Sequence, residues 1–345
     1  MQNDFLEDII KKHILKIILG CLVSLILIYL CIRNIDFKQS LSLIKNANIY
    51  LISAGIVFYV LSYLVRSIRW EYILVPLKKI KPFRSFFFLI FGFFMNNILP
   101  LRLGEIVRSL VAGEKLQISR SGVFATVIVE RLMDIIIFII CFFLIAVFVE
   151  IPFWLKKTFL LCALIFGIMF VILFLMSRKE EKFLNLILKI KLPLKVLDFI
   201  TKLFVKFASG LKFFQNTKLI FYVFITSVII WYFEAWAYKM LFLSFGVDVS
   251  IVQCLFVIVV TGIGAILPTA PAFVGAIEFM GIVALGVFGI EKSVAFTAIA
   301  ATHFIEMMAV YVLGFLGIIK EKISFSDLFR FAVSQQKQEG EINEK

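Results

Sequence analysis

Long apolar stretches separated by short polar segments dominate the chain. A stretch of about 20 apolar residues can cross a membrane as a helix. Two further apolar regions, 85–120 and 251–290, are interrupted by proline, glycine and polar residues. The pattern predicts an all-α polytopic integral membrane protein with two broken or re-entrant helical hairpins in an inverted repeat and about six full spans, at roughly 14–32, 47–65, 122–149, 158–176, 219–245 and 293–319.

The polar segments predict one transmembrane domain at about 14–320. It follows a charged N-terminal segment, 1–13, and precedes a polar tail, 321–345. The first apolar stretch has no small-residue cleavage site, so we expect a retained span and not a signal peptide.

Within this domain, the first half covers about 47–149 and the second half about 219–319, with one broken hairpin in each. Segment 177–218 lies between them. It mixes lysine and arginine with phenylalanine, leucine and isoleucine, and Pro193 divides it. Such a composition predicts amphipathic helices at the cytoplasmic interface of the membrane.

Composition supports the membrane class. Hydrophobic residues make up 62% of the chain, charged residues 17%, and the mean hydropathy is +1.04. Soluble domains carry about 25% charged residues, so an ordinary soluble enzyme is excluded, as is a disordered chain. The five cysteines form no CxxC pair and the two histidines are far apart, so no metal site is predicted. Nucleotide and cofactor motifs are absent from the sequence, and we predict no cofactor and no catalytic residue.

The net charge of +13 predicts an orientation. Basic loops lie on the cytoplasmic side of membrane proteins, and loops 66–84 and 177–218 are both basic. The two loops and both termini lie on the cytoplasmic side if each broken hairpin enters and leaves the membrane on one side. The expected location is the cytoplasmic membrane, and nucleic-acid binding is not expected. Two complete crossings per hairpin would give the same parity, so the pattern leaves that choice open.

The two broken regions resemble each other. The first contains NNILPLRLGE at 96–105, and the second contains ILPTAPAFVGAIE at 266–278. In each, Ile-Leu-Pro precedes a glycine and a glutamate, and an intramembrane acid follows 25 to 28 residues later (Glu130 and Glu306). Interrupted helices at matching positions of two inverted halves are typical of transporter sites near the midplane, and helix N-termini there can bind an anion. Chance recurrence in a chain rich in isoleucine and leucine is the alternative.

Ionisable residues inside the predicted spans form a second candidate site. Glu130, Arg131 and Asp134 begin about eight residues into a span, roughly 12 Å deep. Glu130 and Asp134 share a helix face. Charges at such depth are costly and point to function, or they form an ion-pair network that only fixes helix packing. Both interpretations stay open.

Other charged residues carry weaker predictions. Arg102 and Arg108 could bind a lipid phosphate or extend to the interface. Glu234 and Glu306 are most often satisfied polar contacts, and His303 is expected to bond Glu306 three residues along the helix.

The segment RSIRW at 66–70 lies at a predicted membrane boundary. Basic residues and tryptophan are common membrane anchors there. Anchoring is therefore the favoured interpretation of Arg66, Arg69 and Trp70.

Four motifs together resemble a known family. RSIRW, NNILPLRLGEIVR, VIVERLMDI and ILPTAPAFVGAIE are similar to the transmembrane domain of the bacterial lysylphosphatidylglycerol synthase and flippase family, over about 14–320. The most specific parts are LPxRxGE at 99–105 and ERxxD at 130–134. The family's second block reads LPGSPGGLGVxE, so Thr269, Ala272 and Phe273 stand here at small or glycine positions.

The resemblance implies a lipid translocase of the cytoplasmic membrane. The expected partner is an anionic phospholipid, an aminoacyl-phospholipid or a polyprenyl-linked lipid. Because the sequence has no ATP-binding motif, we expect facilitated movement or coupling to an ion gradient. The family's fused transferase domain is not expected after residue 320, so transferase chemistry is not implied. The predicted lipid-binding residues are Asn96, Asn97, Pro100, Arg102, Gly104, Glu105, Arg108, Glu130, Arg131, Asp134, Pro268, Thr269, Pro271, Gly275, Glu278 and Glu306.

Two alternatives remain at this point. The protein could be a non-catalytic accessory subunit for a separately encoded lipid- or glycan-modifying transferase. It could also be an integral-membrane enzyme acting on lipid headgroups, with Glu105 or Glu130 as general base. Co-purification of a transferase without lipid movement would favour the first, and a change in lipid mass would favour the second.

Overall fold

A computed structural model describes residues 18–99, 102–190, 193–265 and 269–323, and these ranges contain helices and no strands. In chain order the helices are α1 (Ile18–Ile32), α2 (Phe37–Lys45), α3 (Ile49–Leu74), α4 (Pro82–Ile98), α5 (Leu103–Leu116), α6 (Arg120–Ile145), α7 (Phe153–Arg178), α8 (Glu180–Leu188), α9 (Leu194–Gly210), α10 (Thr217–Ser244), α11 (Ile251–Gly264), α12 (Ala276–Gly286) and α13 (Lys292–Lys320).

Length and apolarity identify the membrane-crossing helices. Helices α3, α7, α10 and α13 pass both tests, and α1 with α2, bent by 89°, forms a fifth candidate. Helix α6 matches α3 in length, at 26 residues, but carries Glu130, Arg131 and Asp134. The all-α polytopic membrane class is thus confirmed.

The order of elements repeats along the chain. Each half consists of a first helix, one or two amphipathic helices, a long helix, a broken hairpin and a final long helix, as α1–α6 and then α7–α13. The equivalent helices α3 and α10 pack antiparallel along their length. Tyr72 stacks on Tyr222 near one end, with ring centroids 5.2 Å apart, and the Asn48 N–H donates to the Ser244 carbonyl at the other. The two halves therefore have opposite orientations.

Each hairpin packs against the last helix of the other half. Helix α4 lies along α13, where the Tyr311 hydroxyl donates to the Asn97 carbonyl over 3.3 Å. Helix α11 lies along α6, where the rings of Phe142 and Phe256 are 6.3 Å apart. This exchange brings both hairpin tips to the centre of the molecule.

The two ends of the first hairpin are neighbours. Lys78, just before α4, donates to the Leu116 carbonyl over 2.7 Å, and Arg84 donates to the Lys115 carbonyl over 3.3 Å. Arg84 also pairs with Glu321 at the end of α13. The hairpin of α4 and α5 thus enters and leaves at one end of the molecule.

The second hairpin has the reverse arrangement. Phe256 in α11 packs against Phe288 just after α12, with centroids 5.4 Å apart. These residues lie beside Phe142, at the end of α6 that is remote from its start at Arg120. The two hairpins therefore enter and leave at opposite ends of the molecule.

One end of the molecule is strongly basic. It carries the α3–α4 loop and helices α8 and α9, where Pro193 begins the second of the two helices. On α9, exposed Leu194, Phe199 and Leu203 accompany exposed Lys195. The predicted amphipathic character is present in this segment, while its contact with a lipid interface stays a prediction.

Candidate functional site

The tip of the first hairpin begins α5 with an unusual backbone. Arg102 adopts a left-handed conformation (φ 56°) and precedes Leu103, the first residue of α5. Gly104 lies so close to α4 that a Cβ there would be 2.6 Å from the Asn96 side-chain oxygen. Glu105 occupies the first turn, where a carboxylate complements the helix dipole. The glycine and the left-handed residue together allow α5 to fold back tightly on α4.

The tip of the second hairpin uses a short 3₁₀ turn, Pro271–Phe273. Ala272 (φ 57°) and Phe273 (φ 60°) adopt left-handed conformations at positions where the resembled family has glycine. Gly275 (φ 89°) precedes α12 and donates its N–H to Glu278 over 2.6 Å. Ala272 and Phe273 therefore carry side chains on left-handed backbone, which is strained for residues other than glycine.

Arg102 joins the two tips. Its Nε donates to the Ala265 carbonyl at the end of α11 over 2.9 Å, and its guanidinium lies 5.2 Å from the Phe273 ring centroid. Arg102 forms no ion pair with a carboxylate of the described residues. Its positive charge consequently faces the space between the hairpins.

A buried ion-pair network lies beside the tips. Arg69 binds Asp134 at 2.6 Å and Glu130 at 3.5 Å, and Arg108 binds Glu130 at 3.0 Å. Arg66 and Arg131 complete it. The network spans four helices, α3, α5, α6 and α10, and its remaining contacts are Arg66–Glu234 at 3.0 Å, Arg66–Asp134 at 3.6 Å, Arg131–Glu105 at 2.8 Å and Arg131–Asp134 at 3.4 Å.

The charges in this network balance. Four arginines pair with four carboxylates, so Arg102 adds one positive charge beyond it. Glu306 could offset that charge if ionised, but its Oε1 is buried without a hydrogen-bond partner. An unpartnered polar atom is costly away from water, so a ligand with a hydrogen-bond donor near Glu306 would be favoured.

The hairpin tips and the network border a cavity of about 250 Å³. Residues from both halves form its walls, and the lining contains both charged and aromatic side chains. The charged and titratable residues among them are Arg66, Arg102, Arg131, Asp134, Glu234, His303 and Glu306, and the aromatic ones include Tyr59, Tyr63, Phe93, Phe138, Trp231, Tyr238 and Phe273. A site of mixed polarity between two inverted hairpins can bind an amphipathic anion.

The structure places the predicted residues in three groups. Asn97, Arg102, Arg131, Asp134 and Glu306 line the cavity. A second group lies behind the walls: Asn96, Gly104, Glu105, Arg108, Glu130, Thr269, Pro271, Gly275 and Glu278 pack, pair or turn the chain there. Pro100 and Pro268 lie outside the described residues.

The anchoring role expected for Arg66, Arg69 and Trp70 needs correction. Arg66 and Arg69 are 4% and 0% exposed and bind carboxylates, so they are not interfacial anchors, and Trp70 donates to Thr126 inside the protein. Arg108 is 1% exposed and does not reach the interface. An arginine near the end of a span is compatible with a membrane anchor and with a buried ion pair. The carboxylate partners could not be predicted because they are far away in the sequence.

His303 also has another partner than the one expected. Its Nδ1 lies 2.6 Å from Glu278 on α12, and Glu306 is not its bonded neighbour. This pair links the start of α12 to α13. Glu234, in contrast, is the satisfied polar contact that was expected, since Ser62 and Arg66 both donate to it.

Two inverted broken hairpins around a cavity with charged walls define a multi-pass membrane protein with an inverted repeat. The chain belongs to the family described as the lysylphosphatidylglycerol synthase TM region, which matches residues 17–314.

Archaeal membrane proteins are among its relatives. A UPF0104 membrane protein of Methanocaldococcus jannaschii is 26% identical over 336 residues, covering 91% of this chain and 98% of the relative. One from Pyrococcus horikoshii is 26% identical and covers 90% and 98%. A third, from Methanothermobacter thermautotrophicus, is 25% identical and covers 72% and 77%. The similarity extends over nearly the whole of the first two relatives.

Proposed function

We propose that this protein moves an anionic lipid between the leaflets of the cytoplasmic membrane. The observation that carries the proposal is the Arg102 guanidinium, which lies without a carboxylate partner of the described residues between two oppositely oriented hairpin tips. A lipid phosphate supplies the missing negative charge and accepts charge-assisted hydrogen bonds from arginine. The family to which the chain belongs supports a lipid as the ligand.

The surrounding network supports this role. Arg131 lines the cavity at its contact with Glu105 and Asp134, so a phosphate near Arg102 has a second cation close by. A rigid network keeps these groups in place while a headgroup passes, because burial and pairing fix each rotamer. Inverted repeats of this kind alternate access around a fixed midplane site.

An orientation belongs to the proposal. The basic end, with the α3–α4 loop and helices α8 and α9, faces the cytoplasm, in agreement with the positive-inside rule. Both termini are then cytoplasmic. The first hairpin enters from the cytoplasm and the second from the other side.

A headgroup-accessibility assay tests the proposal. Purified protein is reconstituted into phosphatidylcholine vesicles with a trace of phosphatidylglycerol, lysyl-phosphatidylglycerol or a polyprenyl phosphate, each fluorescently labelled. A membrane-impermeant quencher then reports which lipid reaches the outer leaflet. We expect protein-dependent loss of the inner-leaflet signal for at least one of them.

Variants identify the site in the same assay. Arg102→Ala and Glu105→Gln are expected to slow lipid movement while membrane insertion stays normal. Arg33→Gln, an exposed arginine at the opposite end, is the matched control. Normal rates in both site variants would remove these residues from the site. Absence of movement for every lipid, from folded protein, would favour the accessory role, and a change in lipid mass would favour an enzyme.

A further inference from the structure

We propose that the hydrocarbon chains of the bound lipid leave the cavity sideways, through the apolar part of the cavity between α6 and α7, which we call the portal. The portal is lined by Ile135, Phe138, Ile139, Phe159, Cys162, Phe166. The inference rests on the proposed function for the lipid itself. It adds where the chains lie and which part of the molecule admits them.

The portal and the charged site are one cavity. Arg131 and Asp134 on α6 line its polar part, and Ile135 and Ile139, farther along the same helix, line its apolar part. The change from charged to apolar walls therefore occurs within two turns of α6. A soluble anion would contact only the charged part of the cavity, whereas an amphipathic lipid can fill the charged part with its headgroup and the apolar part with its chains.

Helix α7 faces both the cavity and the bilayer. Phe159, Cys162 and Phe166 share one face at spacings of three and four residues and line the cavity. Its other face exposes Leu161 and Leu164, at 57% and 61%. In the apolar 18-residue stretch of α7, 11% of the residues are buried inside the protein, against 33% in the corresponding stretches of α3 and α10. A helix with lipid on one face and the cavity on the other forms the wall of a lateral opening.

The ends of α7 are held while its middle borders the portal. At one end, Phe159 stacks on Phe142 with ring centroids 3.5 Å apart. At the other, Phe170 and Phe174 pack edge-on against Phe214. Cys162 and Phe166 lie between these two contacts. The portal therefore lies along the middle of α7, between two packed ends.

Trp231 marks the border between the two parts of the cavity. Its ring lies 4.5 Å from the Arg66 guanidinium and 4.3 Å from the Phe138 ring centroid. The side chain is 9% exposed, and its indole N–H has no acceptor among the described residues. A buried donor without an acceptor is unfavourable. The oxygens that link a lipid headgroup to its chains supply an acceptor at this depth.

Two tryptophan substitutions on the same helix test the portal. Cys162→Trp adds bulk inside the portal, and Leu164→Trp adds the same bulk on the bilayer face of α7. In vesicles containing labelled phosphatidylglycerol, we expect Cys162→Trp to slow lipid movement about tenfold and Leu164→Trp to leave it within about twofold. Equal rates in the two variants, with the wild type active, would overturn the portal and leave the proposed function standing.

A second measurement works without transport. Phosphatidylglycerol added to detergent-purified wild type should slow alkylation of Cys162 by N-ethylmaleimide, measured by peptide mass spectrometry. Cys21, an exposed thiol on α1 outside the cavity lining, is the internal control. Glycerol 3-phosphate, which has the headgroup chemistry without chains, should protect neither thiol. If the lipid protects neither thiol, or both equally, the portal is wrong. If the wild type also moves no lipid, the proposed function fails with it.

Discussion

Both hairpins turn through residues with left-handed backbone, but their side chains differ in charge. In the first, Arg102, Glu105 and Arg108 all carry charge, and the last two pair with α6. In the second, Glu278 is the charged residue near the tip, and it is satisfied by Gly275 and His303. The first hairpin thus supplies the charge of Arg102 to the cavity, and the second supplies the apolar side chains of Phe273 and Ile277 to its wall.

This difference indicates a division of roles between the halves. The repeat fixes where the hairpins meet, but it does not require both to bind charge. An anion placed at the junction contacts Arg102 from one half and apolar or aromatic groups from the other. The following predictions test that division, from the largest expected effect to the smallest.

The largest effect is expected from Arg69→Met in the first half. The change removes the shortest ion pair of Asp134, at 2.6 Å, and one of the two ion pairs of Glu130. Breaking a buried pair on one side costs about 3–5 kcal/mol, so the thermal unfolding temperature in detergent should fall sharply. Unfolding unchanged from wild type would show that the network does not hold the first half together.

A smaller effect is expected from Gly104→Ala. The added methyl group would meet α4 at Asn96 and force the hairpin apart. Overpacking of this kind costs about 1–3 kcal/mol. The matched control in the second hairpin is Gly286→Ala, where a Cβ meets no atom within 4 Å. Equal unfolding temperatures for the two variants would contradict the tight packing of the first tip.

In the second half, His303→Asn should cost about 1 kcal/mol, since one hydrogen bond is lost while Gly275 still donates to Glu278. Hydrogen exchange should increase at the start of α12 and not in α5. A similar increase in both hairpins would show that the pair stabilises more than its own tip.

The smallest effect is a gain. Ala272→Gly removes a backbone strain of about 1–2 kcal/mol from the folded state. Glycine also increases the conformational entropy of the unfolded chain, which lowers the free energy of unfolding by about 0.4–1 kcal/mol. Stability should therefore rise by roughly 0.5 kcal/mol. Ala276→Gly, within α12, should destabilise instead. Destabilisation by both would mean that the turn at Ala272 is not strained.

The sequence predicts the hairpins well because proline and glycine act locally. Interruptions at 96–105 and 266–278 fall where the structure ends α4 and α11. Whether each hairpin is re-entrant or crosses the membrane twice could not be predicted, because parity is the same in both cases.

The ion-pair partners could not be predicted, because they are far apart in sequence. Arg69 lies 65 residues from Asp134, and Arg66 lies 168 residues from Glu234. A position near the end of an apolar span suits an anchor as well as a buried pair. Glu130, Arg131 and Asp134 were found because three charges in the middle of a span are costly. The aromatic lining was missed because aromatic residues are common throughout this chain.

The most direct test of the inverted architecture is the side from which each hairpin end can be labelled. In a background with the native cysteines replaced by serine, Lys81→Cys and Glu114→Cys report the ends of the first hairpin, and Asp248→Cys and Glu291→Cys those of the second. An impermeant maleimide is applied to sealed vesicles of known orientation. We expect both residues of the first pair to react from the cytoplasmic side, and both residues of the second from the other side. Two ends of one hairpin that react from opposite sides would contradict the account.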